Sequence, residues 1–429
     1  MTQREEIPSG DRSAPGNPGR RRWLARTMGA VGAATAGWLA PGTVLASTPP
    51  EVPDWMKRLG FPVGDRPYGR PSDHEDQVVR RVIEGLTPSE HSMASFTPLG
   101  ELHGTLTPNG LVFERHHGGV PDIPPDEHRL MVHGMVERSL TFTMEDLLRF
   151  PAVSRIHFLE CAANSVTERA GPNRESVQFT HGMLSNCEWT GVPLKRVLEE
   201  AGVRTGAKWV LAEGADAAGM TRSLPLENAL DDALVVYAQN GERLRPEQGY
   251  PLRLVVPGLE ANLSVKWLRR LEVGDRPWMT REETAKYTDL MPDGRARQFS
   301  LLQEAKSVIT HPSAGHVLEG RGFREIRGLA WSGAGRVKAV EVSTDGGRHW
   351  RQATLHEPIL PRALTRFSLP WEWRGETAWL QSRVWDESGY LQPTREQLVG
   401  ERGETSIYHY NAIQTWKVAA TGEVTNERE

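Results

Sequence analysis

Four segments beyond about residue 300 constrain the fold more than anything else in the chain. REIRGLAWSG, RVKAVEVSTDGGRHWRQATL, TRFSLPWEW and ETAWLQSRVWDESGY each alternate apolar and polar residues, and Asp345-Gly346-Gly347 supplies a hairpin turn between strands. A strand with one apolar face has to bury it against a second sheet. Residues 300–429 are therefore expected to form an immunoglobulin-like β-sandwich with no helix in it. Such a sandwich is by default structural or mediates association, and chemistry has to be sought elsewhere.

Residues 100–299 carry a mixed pattern. HRLMVHGMV, KWVLAEGAD, ALVVYAQNGERL and GYPLRLVVPG are short apolar runs between turn residues and read as strands. TMEDLLRF and PLKRVLEEAG have helical periodicity, and Gly202 stands where a helix C-cap favours glycine. An α+β domain is expected here. Residues 47–99, rich in proline and charge, read as an N-terminal arm that wraps a neighbour, with one short helix near Gln77 to Glu84.

Residues 1–46 have the form of an export signal. Arg20, Arg21 and Arg22 precede Trp23 and Leu24, a weakly apolar Ala/Gly-rich stretch runs from Met28 to Leu45, and a small-residue site ends at Ala46. This reads as a twin-arginine signal peptide, the address of proteins exported already folded, and it implies a periplasmic enzyme with a complex cofactor. A membrane anchor is the alternative, but the stretch is short and diluted by glycine. With 51 basic against 55 acidic residues the charge is nearly balanced, which argues against a nucleic-acid platform.

The chain has two cysteines, Cys161 and Cys187. In an oxidising compartment they could pair as a disulfide. Alternatively Cys161, in HFLECAANS, is an inert core cysteine, as a cysteine on an apolar segment more often is, a metal thiolate with Ala162 and Ala163 leaving room for a bulky group, or a nucleophile with His157 or His181 as base. Neither C-x-x-C-H nor C-x-x-C occurs, so no c-type haem of its own and no zinc of that spacing is expected. His116 and His117 are adjacent but lack a third ligand at suitable spacing for zinc.

Three segments in order, LVFERHHGGVPDIPPDEHRLMVHG, LECAAN and VVPGLEANLSVKW, followed by the sandwich, resemble the sulfite oxidase family of molybdenum enzymes from about Leu99 to the C-terminus. The resemblance implies a molybdopterin-binding catalytic domain followed by a dimerisation sandwich. It implies Mo-molybdopterin as cofactor, with Cys161 as the protein thiolate on molybdenum. Phe113, Arg115 and His117 match the segment beside the pterin and metal, and Arg115 is the cation expected to face an oxyanion, since a guanidinium offers forked donors. Asp216, Arg253, Ser264 and Lys266 fall where the family contacts the pterin and its phosphate. Tyr287 matches the active-site tyrosine.

The departures from the family are informative. Its second substrate arginine has a counterpart only by shifting to Arg169 or Arg174. Phe179 stands where relatives have a pocket tryptophan, and His409 with aromatic neighbours replaces an arginine-bearing segment. Fewer cations and more aromatic surface suit a bulkier sulfur substrate than a free dianion. Within the family, SFTPLGELHGTLTPNGLVFERHHGGVP and GETSIYHYNAIQTW most resemble the molybdenum subunit of sulfane dehydrogenases in thiosulfate oxidation. That resemblance implies a sulfur carrier protein as substrate, a dihaem c-type cytochrome subunit as electron acceptor, a homodimer through the sandwich, and a heterotetramer with the cytochrome. Oxidation of free sulfite with a cytochrome c acceptor is the competing activity. An exported binding protein that kept the fold and lost the metal is the competing class.

Overall fold

The computed structural model describes residues 54–57, 69, 71–87, 89–172 and 175–428. The chain divides into two units, Met1–Gly64 and Asp65–Glu429. In the first, the 3₁₀ turn Asp54–Lys57 is described, and the expected signal peptide lies outside the described residues. The second holds everything discussed below. Among the described residues no helix is long and apolar enough to cross a membrane.

Two five-stranded sheets build the first half of the larger unit. One runs Leu140–Thr143, Arg129–Gly134, Leu268–Gly274, Trp209–Gly214 and Thr221–Pro225, antiparallel except for the parallel pair Arg129–Gly134 and Leu268–Gly274. The other runs Glu242–Arg243, Leu234–Gln239, Leu184–Pro193 and Val153–Glu160, with Arg253–Val255 also pairing on Leu234–Gln239. The expected helices are present. Met144–Leu148 starts at a Thr143–Asp146 capping box, and Leu194–Ala201 ends at left-handed Gly202. Leu194, Val197, Leu198 and Ala201 point into one apolar core with Val210, Leu254 and Leu271.

The arm differs from its expectation. No helix forms at residues 77–84. A 3₁₀ turn spans Asp73–Glu75, and Arg81–Val82 pairs with Ser95 and Phe96. Val78, Val79, Val82 and Ile83 are β-branched, which favours the extended chain that can reach a strand edge.

Residues 306–427 form the sandwich. Its sheets are Lys306–His311, Gly322–Trp331, Thr365–Trp373 and Thr354–His356 against Arg351–Gln352, Val337–Ser343, Ala378–Asp386, Thr415–Val418 and Val424–Glu427. Gly346 and Gly347 turn the expected hairpin at φ of 71° and 81°. One expectation fails, because the helix Arg395–Arg402 sits within this part of the chain. Thr394 and Gln397 cap it reciprocally, and Leu398 is buried with Tyr410 and Ala412. The T-x-x-Q signature was present in PTREQLVG and outweighs the surrounding strand pattern.

The two halves share one core. Leu99, Phe158, Val177 and Leu184 pack in the same cluster as Trp331, Phe367 and Trp416. Through that seam runs a buried ion pair. Glu160, 2% exposed, accepts Lys306 Nζ at 2.9 Å and Asn164 Nδ2 at 2.9 Å on Oε1, and Trp331 Nε1 at 2.7 Å on Oε2. Every donor has a direction, so the pair is fully satisfied. Removing one partner of such a pair strands a charge. Lys306→Met should lower the unfolding free energy by about 3–5 kcal/mol in denaturant titrations, and adding Glu160→Gln should restore most of it.

Candidate active site

The strand Val153–Glu160 is exposed at its start and buried over its last four residues, because that end runs under the sandwich. It therefore delivers Cys161 into the interior. Cys161 N donates to Met183 O at 3.0 Å, and Asn164 N closes a turn on Cys161 O at 2.8 Å. The thiol lines a cavity of about 660 Å³ together with Phe113, Arg115, His117, Arg253, Ser264, Lys266 and Tyr287. Eight of the nine residues expected from the sequence thus meet at one cavity. Asp216 does not line it. It sits in the turn after Trp209–Gly214, with carboxylate Oδ1 buried and lacking a hydrogen-bond partner.

Burial and charge set the character of the wall. Arg253 is 3% exposed, and it spends its donors on main-chain carbonyls: Gln248 O at 2.9 Å and Ser264 O at 3.0 Å. Burial lowers its pKa to about 10. Lys266 donates to Glu247 O at 3.0 Å and Arg115 O at 3.3 Å, and contacts His116 Nδ1 at 3.0 Å. Burial and then nearby Arg253 bring its pKa down to about 7, against the pull of Glu114, Asp216 and Glu247. Burial and then Arg115 lower His117 to about 4, so this ring is neutral near pH 7. Burial raises the Cys161 thiol, opposed by the Ala163 amide and Arg115. A buried and a half-buried cation without a bonded carboxylate, facing a reluctant thiol, define a cavity that favours an anion at one end and a thiophilic metal at the other.

Other expectations resolve individually. Arg169 is buried away from the cavity, donating to the carbonyls of Gly403 at 2.8 Å and Tyr408 at 3.1 Å, with its guanidinium 5.6 Å from the Tyr410 ring. Arg174 lies outside the described residues. Phe179 does not line the cavity. It packs edge-on against Phe96 at 5.8 Å, and the tryptophan on the wall is Trp189, held over Arg253 at 5.0 Å. His409 reaches the site as an ion-pair partner of Glu260. Cys161 and Cys187 are both free, with burial pushing the Cys187 thiol up to about 12. His157 pairs with Asp232 at 3.2 Å and His181 Nδ1 contacts Thr180 at 2.8 Å, and neither ring lines the cavity that holds Cys161. His116 has both ring nitrogens engaged, by Glu114 and Lys266, and is not half of a zinc pair.

The sequence reading missed Arg222, Glu260, Asn262, Gln248, Met220 and Tyr408. Gln248, Asn262 and Met220 line the cavity. Arg222 bonds Glu283, Glu260 and Asn262 just behind it. No local signal marked Arg222, whose burial on the strand Thr221–Pro225 comes from tertiary packing.

A family model described as "oxidoreductase molybdopterin binding domain" matches residues 117–282, and one described as "Mo-co oxidoreductase dimerisation domain" matches residues 299–416. The chain belongs to the molybdopterin oxidoreductases of the sulfite oxidase family, whose cofactor is Mo-molybdopterin. It is 50% identical to the solved sulfane dehydrogenase SoxCD from Paracoccus pantotrophus, covering 88% of this chain and 98% of that one with a TM-score of 0.87. Mitochondrial sulfite oxidase of Mus musculus is 34% identical over 63% of this chain and 52% of its own length. Inducible nitrate reductase [NADH] 1 of Glycine max is 33% identical over 72% of this chain and 40% of its own. The chain thus spans about half or less of the curated relatives it matches.

The donor set fits the cofactor. The uncompensated cations Arg253 and Lys266, beside Ser264, suit a phosphate, and the cavity thiol of Cys161 suits molybdenum.

Behind the wall, burial alone would raise the Glu260 carboxyl, but His409, then Arg222 and Asn262, hold it down at about 2. Its contribution to stability is complete above its ordinary value of 4.5 and is lost as pH falls toward 2. Glu260→Gln should remove an acid-dependent component of roughly 3 kcal/mol over that window, seen as a flatter stability-against-pH curve in denaturant titrations.

Proposed function

We propose that the chain is the molybdenum subunit of a periplasmic sulfane dehydrogenase, exported by the twin-arginine pathway. It oxidises a sulfane sulfur attached to a cysteine of a sulfur carrier protein during thiosulfate oxidation. Electrons pass to a dihaem c-type cytochrome subunit, and the sandwich pairs two copies within a heterotetramer. The observation that carries the reading is the half-identical match over nearly all of the sulfane dehydrogenase chain. The cavity agrees in character, since Phe113, Leu159, Trp189 and Met220 give it an apolar and aromatic wall beside Arg115, Arg253 and Lys266. That suits a sulfur on an organic arm better than a small free dianion.

When bound, the molybdenum centre supplies two-electron oxidation, with two electrons and two protons released for each oxygen the sulfur gains from water. The residues of the chain do the rest. Cys161 would hold the metal by its thiolate, and Arg253, Lys266 and Ser264 would hold the phosphate of the pterin, with Phe113 and His117 on the same cavity wall and Asp216 on the turn after Trp209–Gly214. Arg115 presents a guanidinium to negative charge growing on the sulfur's oxygens. Burial raises the phenol of Tyr287, opposed by Arg222, so it stays protonated and can donate a hydrogen bond to the same oxygens.

The 34% identity to mouse sulfite oxidase supports a second reading, oxidation of free sulfite with a cytochrome c acceptor. Steady-state assays with a carrier-bound sulfane and with sulfite separate the two, and a kcat/KM that favours sulfite would overturn the first.

Three variants test the site itself. Cys161→Ser should abolish turnover while leaving folded protein that still contains pterin, and retained activity would remove Cys161 from the metal. Arg253→Met and Lys266→Met should each lower the pterin and molybdenum content of purified protein by about tenfold or more, read by oxidative pterin fluorescence and elemental analysis.

A further inference from the structure

Arg222 is a buried charge to which the reaction gives no direct task. It arrives on the strand Thr221–Pro225 and is 1% exposed. Its Nε donates to Glu283 Oε1 at 3.0 Å, while Nη1 reaches Glu260 Oε2 at 3.4 Å and bonds Asn262 Oδ1. The Ser223 amide holds the same Glu283 oxygen at 2.8 Å. With two carboxylates at its edge, Arg222 is a poor counterion for a substrate oxyanion. What it offers the site is a fixed plane of positive charge.

That plane has a specific neighbour. The guanidinium carbon lies 4.6 Å from the centroid of the Tyr287 ring, a distance at which a cation and a π face attract. Tyr287 needs such support. Its φ of 22° is in the left-handed region, where a bulky residue stays only if its surroundings over-determine it. The Tyr408 ring, 4.9 Å away, is the second constraint. Glu260 also pairs with His409, so the Arg222 anchor and the Tyr408 contact both depend on the same C-terminal stretch.

We infer that Arg222 is a positioning residue: its anchored guanidinium stacks on the phenol ring of Tyr287 and fixes where the hydroxyl points in the cavity shared with Cys161 and Arg115. The inference rests on the catalytic reading of that cavity. It also explains how an active-site tyrosine is kept in register on the strained segment between the short helix Arg281–Thr284 and the strand Thr288–Leu290.

The test is a double-mutant cycle in full-length, cofactor-loaded protein, using Arg222→Met and Tyr287→Phe. Each arm is measured with and without Glu283→Gln, which separates the cost of leaving the Glu283 carboxylate unpaired, while Glu260 keeps His409 as its partner. Arg222→Met should lower kcat by about 10²-fold with a smaller change in KM, and in the Tyr287→Phe background it should lower kcat by less than about twofold more. Arg222→Lys, which keeps the charge but not the plane, should recover part of the loss. The second readout needs no turnover. On cofactor-free protein, the near-ultraviolet circular dichroism contributed by Tyr287, taken as parent minus Tyr287→Phe, should collapse in Arg222→Met and persist in Arg222→Lys. An equal drop in kcat in the Tyr287→Phe background, an unchanged dichroism, or loss of molybdenum with the dichroism intact would each overturn the inference. Should the parent oxidise neither sulfane nor sulfite, the functional reading fails while the dichroism still decides the contact.

Discussion

The buried pair of Glu160 and Lys306 is the constraint on which the molecule turns. Glu160 is the last residue of its strand and Lys306 opens the first strand of the sandwich, and Trp331 adds a third contact from the next strand. Cys161 follows immediately. The residue that presents the thiol is therefore fixed not by its own sheet alone but by a charge-assisted clamp reaching across two folded halves. Desolvating two charges is expensive, and an apolar pair of similar volume would hold as well or better. What the ion pair adds is direction, because three donors from separate elements fix the carboxylate of the residue that precedes Cys161.

The second organising feature is electrostatic imbalance. Arg253 bonds to carbonyls, Lys266 to carbonyls and an imidazole, and neither has a carboxylate within bonding reach. Burying charge without a paired carboxylate is costly, and a bound anion would offset that cost. The opposite arrangement lies behind the wall, where Arg222 has two carboxylates and His409 shares one of them. The same residue type thus does different work a short distance apart. At the cavity an arginine is bonded to carbonyls alone, while behind it an arginine is paired with two carboxylates.

Much of this was legible in the sequence because the relevant signals are local. The sandwich strands, the capped helices and the order of the Arg115, Cys161 and Lys266 segments are written as short patterns. What escaped has no local signature. Trp189 and Phe179 are both aromatic and near in sequence, and only the register of Leu184–Pro193 against Val153–Glu160 puts Trp189 behind Arg253. Arg169 is attractive by proximity to Cys161, yet the turn after the cysteine carries it toward the carbonyls of Gly403 and Tyr408. Arg222, Glu260 and His409 are separated widely along the chain, so their meeting depends on tertiary packing alone. The helix Arg395–Arg402 is a different kind of miss: its capping box was visible, and the surrounding strand pattern hid it.

The segment that carries Tyr408 and His409 has one more consequence. His409 N bonds Ala162 O, beside the thiol, and its ring pairs with Glu260. One short stretch near the C-terminus thus ties the main chain beside the thiol to the carboxylate behind the wall, so that a displacement of either is passed to the other.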